Sequence, residues 1–146
     1  MYQRILLAYD GSSSGQKALL ESKAFAQWSE ASISLLAVIP GTMPAFAPET
    51  GFYREDDVLD ENLHYQKILQ NGLDFFLAFG IQAKGEIAMG DPVHEIVQHA
   101  KALNSDLIIV GHKHQEGWVA RWWGGQVSKS LIENSPCNVL VVVSQS

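Results

Sequence analysis

A serine-rich turn near the start of the chain has the spacing of a hydrolase nucleophile. The segment Gly11-Ser12-Ser13-Ser14-Gly15 spells G-x-S-x-G between an apolar run and a helical stretch, which is the context in which α/β hydrolases present their central serine. Here Ser13 would follow the first strand, so no earlier loop can supply the second N–H group of an oxyanion hole. The turn therefore predicts a helix cap, with a Ser13 hydrolase as the alternative.

Asp10 ends the apolar run that precedes this turn. A carboxylate at the end of a strand can accept hydrogen bonds from ribose hydroxyls or from an amine, and it can equally cap the following turn. Both interpretations stay open on the sequence. A phosphate-accepting aspartate would need further acidic residues around a metal ion, and the neighbours Tyr9 and Gly11 supply none.

Two pairs of histidines have spacings that argue against a metal site. His94 and His99 are one residue too far apart for the zinc motif H-E-x-x-H, because residues five apart on a helix are separated by roughly 140°. We therefore expect both on the polar face of a helix. His112 and His114 lie in a predicted loop where only Glu116 adds a carboxylate, so no zinc site is predicted there.

A cluster of tryptophans follows these histidines. Trp118, Trp122 and Trp123 indicate packing within the domain or against a partner chain, and we expect Trp118 or Trp122 to be buried near a ligand cleft or a subunit contact. A platform for single-stranded nucleic acid would need interleaved basic residues. The formal net charge of -6 also has the wrong sign for nucleic acid, which is not expected as a partner.

Short apolar runs alternate with helical segments along the chain. Runs rich in β-branched residues and leucine predict strands at 5–9, 33–39, 81–89, 107–110 and 139–143. Apolar residues at helical spacing predict helices between them, one beginning at Asp91 and Pro92 and another spanning 57–79 before Gly80. The segment 40–55, rich in proline and glycine, predicts a long loop.

This alternation predicts one α/β domain over residues 1–146. We expect a doubly wound, Rossmann-like fold with a five-stranded parallel sheet in the order 3-2-1-4-5 and helices on both faces. Ligands of such sheets bind beyond the carboxyl ends of the strands where the winding reverses. That rule selects the segments 10–15 and 111–125 as the two halves of a binding cleft.

The composition and the N-terminal residues bear on location. The single cysteine, Cys137, cannot staple a secreted scaffold and favours a reducing compartment. The first apolar run is shorter than the hydrophobic region of a signal peptide, and no stretch approaches the ~18 to 20 apolar residues of a membrane span. We therefore expect a cytoplasmic protein without membrane contact.

Several segments together resemble the universal stress protein family. The most specific are Gly111-His112-Lys113-His114 and Gly125-Gln126-Val127-Ser128, the second followed by a helical stretch, Pro136 and the strand 139–143. The first strand ending in Asp10 and the segment Gly90-Asp91-Pro92 agree with the family as well. The resemblance runs in order through nearly the whole chain and omits only the proline-rich loop.

The resemblance also exposes departures from the ATP-binding branch of that family, which carries G-x2-G-x9-G followed by Ser or Thr. Gly111 matches the first glycine, but His114 occupies the place of the second. If Gly125 is the third glycine, the spacing is one residue too long and Gln126 replaces the hydroxyl; if Gly124 is the third, Gly125 takes the hydroxyl's place. The segment is closer to the branch that lacks the ATP motif.

The family resemblance implies how a nucleotide would be held. Adenine would contact Val38 and Val110, the ribose would lie near Asp10, and phosphates would lie near His114 and the N–H groups of 125–127. The departures predict an impaired nucleotide pocket, with an ATP-binding switch as the alternative. The resemblance further implies a non-enzymatic stress-response protein that requires no cofactor, binds an unknown protein partner and forms a homodimer through the C-terminal strand, which would cover that strand's open edge.

Overall fold

The chain alternates strands with helices from end to end. A computed structural model describes residues 1–41, 55–113 and 125–144, without the side chains of 55–59, 113 and 125–127. The strands are β1 (Arg4–Ala8), β2 (Ser32–Pro40), β3 (Lys84–Gly90), β4 (Leu107–Lys113) and β5 (Asn138–Ser144). The helices are α1 (Ser13–Ser29), α2 (Glu55–Ala78), α3 (Pro92–Ala102) and α4 (Gly125–Asn134).

The five strands form one sheet in the order β3-β2-β1-β4-β5, with every pair parallel. The predicted fold class and strand order are thus confirmed. β1 lies at the centre, where Ala8 is in register with Leu36 on one side and with Val110 on the other. The Asp106 carboxylate accepts from the backbone N–H of Gln3 at 2.7 Å and of Arg4 at 3.0 Å, which joins β1 to β4 at their amino ends as well.

Two hydrophobic clusters cover the two faces of the sheet. Alternate residues of β1, β2 and β4 point to opposite faces, so strands that are apolar throughout contribute to both clusters. One cluster packs against α1 and α2 and includes Leu7, Tyr9 and Leu35. The other packs against α3 and α4 and includes Ala8, Val38 and Val110.

The helix ends follow the local sequence signals. The Asp91 side chain caps α3 by accepting from the His94 N–H at 2.9 Å, and Pro92 is the first residue of that helix. Gly80 follows the end of α2 with a φ of +76°, a conformation that glycine adopts without strain. These sequence predictions are confirmed.

Two strand boundaries differ from the prediction by three residues, and the other strand ends differ by one residue at most. β3 begins at Lys84 rather than at 81, because the Ile81 N–H bonds the Phe76 carbonyl and belongs to the turn that ends α2. β4 continues to Lys113, so His112 lies in a strand and not in a loop. Its pairing with β5 explains the extension, since His112 is in register with Val143.

The two edges of the sheet are β3 and β5. β5 packs beside α1, and the Lys17 Nζ donates to the carbonyl of Val143 at 2.9 Å. Of the predicted proline-rich loop, Pro40 ends β2 and Glu55 begins α2, while 42–54 lie outside the described residues. No helix in the described part of the chain is long and apolar enough to cross a membrane.

Candidate functional site

The carboxyl ends of β1 and β4 lie side by side in the middle of the sheet, where the strand order reverses. Asp10 follows β1, and Gly111 lies in β4 one residue beyond Val110, the register partner of Ala8. Val38 on β2 lies two residues beyond Leu36, the other register partner of Ala8. The structure therefore brings Asp10, Val38, Val110 and Gly111 together, as an α/β cleft requires.

The Asp10 carboxylate holds the serine-rich turn. Its Oδ1 accepts from the Ser12 N–H at 2.9 Å and from the Ser12 hydroxyl at 2.5 Å. The Ser12 Oγ is also 3.0 Å from the Ser14 Oγ and accepts from the Gly15 N–H at 3.1 Å, which caps α1. Asp10 thus performs the capping role that the sequence left open, and its Oδ2 has no hydrogen-bond partner among the described residues.

Tyr9 is a residue of the site that sequence analysis missed. Its ring is buried, its hydroxyl accepts from Gln16 Nε2, and burial together with the Asp10 charge raises the pKa of the phenol. A Cβ on Gly15 would lie 3.0 Å from the Tyr9 ring, and one on Gly72 would lie 3.3 Å from it. The signal in the sequence was an aromatic residue at the end of a buried strand, between two helices that each carry a glycine.

Gly111 allows β4 to pass close to the first turn of α1. A Cβ at this position would lie 2.5 Å from the Ser14 carbonyl oxygen and 2.9 Å from the Gly15 nitrogen, distances that real side chains do not adopt. The first motif glycine thus has a packing role within the protein, whatever it does toward a ligand. That role joins the two segments that line the cleft.

Val38 and Val110 have no exposed surface and pack in the cluster on the α3 and α4 face. They lie near the carboxyl end of the sheet, on the two strands that flank β1. A ligand at the carboxyl end of the sheet would lie above the apolar cluster that contains both valines. Their contact with adenine, like the ligand contact of Asp10 and Gly111, stays a prediction.

His112 connects β4 to the first turn of α4. Its Nδ1 lies 3.4 Å from the Oγ of Ser128, which is buried. No group of three side chains suited to bind a metal occurs among the described residues. Gly125, Gln126 and Val127 form the first turn of α4, whose backbone N–H groups begin the helix without partners from a preceding turn.

Other residues singled out by sequence lie elsewhere. Ser13 is the exposed first residue of α1, and it is Ser12 that contacts Asp10. His94 is exposed, as expected for a polar face, whereas His99 is half-buried with its Nε2 3.1 Å from a Glu86 oxygen on β3. The positions outside the described residues are His114, Gly124, Trp118, Trp122 and Trp123.

The whole sequence matches a known family. Residues 1–143 fit the profile of the Universal stress protein family. The chain belongs to this family. It is 32% identical over 148 residues to Universal stress protein YxiE of Bacillus subtilis, a match that covers 97% of this chain and 99% of that protein. The predicted family membership is thus confirmed.

Solved structures agree with the fold. The universal stress protein UspA from Lactobacillus plantarum superposes with a TM-score of 0.75 at 26% identity, with 97% of each chain covered. A universal stress protein family protein from Arabidopsis thaliana, determined with AMP bound, superposes with a TM-score of 0.67 at 19% identity, over 99% of this chain and 93% of that one. The second likeness concerns the fold alone.

Proposed function

We propose that this universal stress protein works in the cytoplasm by binding rather than by catalysis, through an adenine-nucleotide cleft whose phosphate half is impaired. The observation that carries the proposal is the meeting of Asp10 with Gly111 at the reversal point of the sheet, over an apolar floor. Ligands of open α/β sheets bind at this point.

The nucleoside half of the cleft has the groups that it needs. Asp10 retains one carboxylate oxygen without a described partner, which can accept from ribose hydroxyls while the other oxygen holds the turn. Val38 and Val110 lie buried in the apolar cluster beneath the proposed adenine position. The Arabidopsis protein, with AMP bound, supports the capacity of this fold for an adenine nucleotide.

The phosphate half departs from what ATP needs. His114 replaces a glycine where the backbone must come close to phosphate, and Gln126 replaces a hydroxyl residue. A residue with a Cβ in a left-handed conformation costs about 1 to 2 kcal/mol, and an imidazole adds bulk where phosphate would lie. The N–H groups at the start of α4 still favour an anion, so the proposal is weakened binding and not its complete loss.

Calorimetric titration with MgATP tests this proposal. We expect the native chain to bind MgATP no more tightly than about millimolar. The double variant His114→Gly, Gln126→Ser should bind about tenfold more tightly, because glycine permits a close backbone approach and removes the bulk of the imidazole. Ser13→Ala is the control, since it alters an exposed serine of α1 that does not contact Asp10. We expect no release of ADP from any of these proteins.

An ATP-dependent switch is the second candidate, favoured by the start of α4 beside the end of β4. A dissociation constant in the low micromolar range for the native chain would select it and reject the impaired cleft. Release of ADP that Ser13→Ala abolishes would instead indicate an enzyme.

We further propose a homodimer through β5. The strand is the last in the sheet, it pairs with β4 alone among the described strands, and Val143 is 37% exposed. Pairing with a second copy would satisfy its outer N–H and C=O groups. A further protein partner is expected for a stress-response protein, while the net charge of -6 argues against nucleic acid.

A further inference from the structure

The second edge of the sheet is also open. β3 pairs with β2, and no other strand in the described part of the chain pairs with its outer side. Every second residue of an edge strand directs its N–H and C=O groups outward. Lys84, Gly85, Glu86 and Met89 are exposed along this strand, Met89 to 52%.

The sequence of β3 is complementary to itself. When two copies pair antiparallel about an axis through Gly85, Lys84 of each copy lies opposite Glu86 of the other. On the other face of the strand, Ile87 lies opposite Ala83, the residue that directly precedes β3. Opposite charges and apolar pairs directly across two strands stabilise pairing.

The Lys84–Glu86 pair reverses the usual effect of a lysine on an edge strand. A lysine on an edge strand ordinarily discourages pairing, because it would bring a charge against a second strand. Here the carboxylate two residues further along offsets that charge in a second copy. Glu86 uses one oxygen to contact His99 Nε2 at 3.1 Å and has a side chain that is 61% exposed, so its other oxygen can accept from a lysine.

Helix α2 independently supports the same axis. Leu69 covers Gly85, since a Cβ on that glycine would lie 3.1 Å from the leucine side chain. Next to it, Leu63, Gln70 and Leu77 are spaced by seven residues and so share one stripe of α2. Leu63 is 57% and Leu77 is 62% exposed.

Rotation about the proposed axis places the α2 helices of the two copies antiparallel on one face of the joined sheet. Gln70 is the centre of the stripe, so Leu63 of each copy meets Leu77 of the other. Helices that cover neighbouring strand pairs lie about 10 Å apart, which is a normal packing distance. Leu63 and Leu77, each more than half exposed in the described part of one chain, would be covered in the pair.

We propose that the start of the β3 edge, centred on Gly85, is an interface for a second copy of this chain, with the Lys84–Glu86 pair formed twice about the axis. The interface is isologous, because the same surface serves both copies. It lies at the opposite edge of the sheet from β5, and so it is separate from the dimer proposed above.

Charge reversal tests the interface. Lys84→Glu places two carboxylates opposite two others, and we expect the dissociation constant to rise about a hundredfold. The assembly mass from analytical ultracentrifugation should then fall to that of a dimer if β5 also pairs, and to that of the 16.1 kDa monomer if it does not. Glu86→Lys should act alike. An equimolar mixture of the two single variants should restore the native mass, because each chain then complements the other. Lys129→Glu, with the same change of charge on α4, should leave the mass unchanged.

Circular dichroism of each variant verifies that the fold is intact, and restored mass in the mixture shows the same independently. A fall in mass is expected whether or not β5 also pairs, because the two edges are separate. A mass that Lys84→Glu leaves unchanged, or a mixture that fails to recover it, would overturn the proposal.

Discussion

Tyr9 places a phenol in the core directly before Asp10. Burial first, and the Asp10 charge second, raise the pKa of this phenol above its ordinary 10.0. Below pH 10 the phenol is neutral in both the folded and the unfolded chain, so its full contribution to stability is present. As the pH rises from that value through the raised pKa of the folded state, the unfolded chain loses its proton first and the contribution is lost.

We therefore expect the native chain to lose more free energy of unfolding between about pH 9 and about pH 11 than Tyr9→Phe, which has no phenol to ionise. Urea denaturation at both pH values measures the difference. Tyr2→Phe, at a half-buried position, is the control for the loss of a tyrosine hydroxyl. Equal alkaline losses in the native chain and in Tyr9→Phe would contradict the role of burial.

Single residues were predictable from the sequence where their role is local. Asp91 and Pro92 start a helix through contacts within four residues, and Gly80 ends one in the same way. His99 was not predictable as an interface residue, because its Glu86 contact joins α3 to β3 and depends on how the helix lies on the sheet. Asp10 remained open for the same reason, since only the folded turn assigns its first oxygen to Ser12.

Among the elements, the close contact between β4 and the first turn of α1 requires a residue without a side chain at Gly111. We expect Gly111→Ala to lower the free energy of unfolding by about 3 kcal/mol, because its Cβ would meet backbone atoms of Ser14 that cannot move alone. Gly80→Ala meets nothing within 4 Å and bears only the cost of its positive φ, about 1 kcal/mol. Urea denaturation compares the two variants.

A Gly111→Ala loss no larger than that of Gly80→Ala would show that the strand can shift away from the helix. The order and type of the elements followed from apolar runs and helical spacing, because both arise from burial along one segment. The β4–α1 crossing could not be predicted in the same way, since Gly111 and Ser14 are far apart in sequence and their contact follows from tertiary packing.

The sheet formed by the described strands has an open edge strand on each side, β3 and β5. With isologous pairing at both β3 and β5, each single disruption should leave a dimer, and only the two together should give the 16.1 kDa monomer. We expect Val143→Asp to remove the β5 contact, because it puts a carboxylate from each copy at a pairing edge. Ultracentrifugation of Val143→Asp, Lys84→Glu and the double variant separates the two interfaces.

A double variant that retains the mass of either single variant would contradict this scheme at the whole-molecule level. The sheet order followed from the sequence, and the order alone identified the two terminal strands. Which edge is complementary to itself depends on spacing within one strand and on the leucines that α2 places beside it. The position of those leucines could not be predicted, because it depends on which residue of α2 lies over Gly85.

The Lys17 contact with Val143 gives α1 two attachments in its first two turns. At the helix start, the serine-rich turn is held by Asp10, whose other oxygen faces the proposed ribose; four residues after Ser13, Lys17 holds the main chain of β5. The first two turns of α1 thus connect the proposed nucleoside position with the outer strand, β5. A nucleoside bound at Asp10 and a second copy paired with β5 would therefore constrain the same two turns of α1.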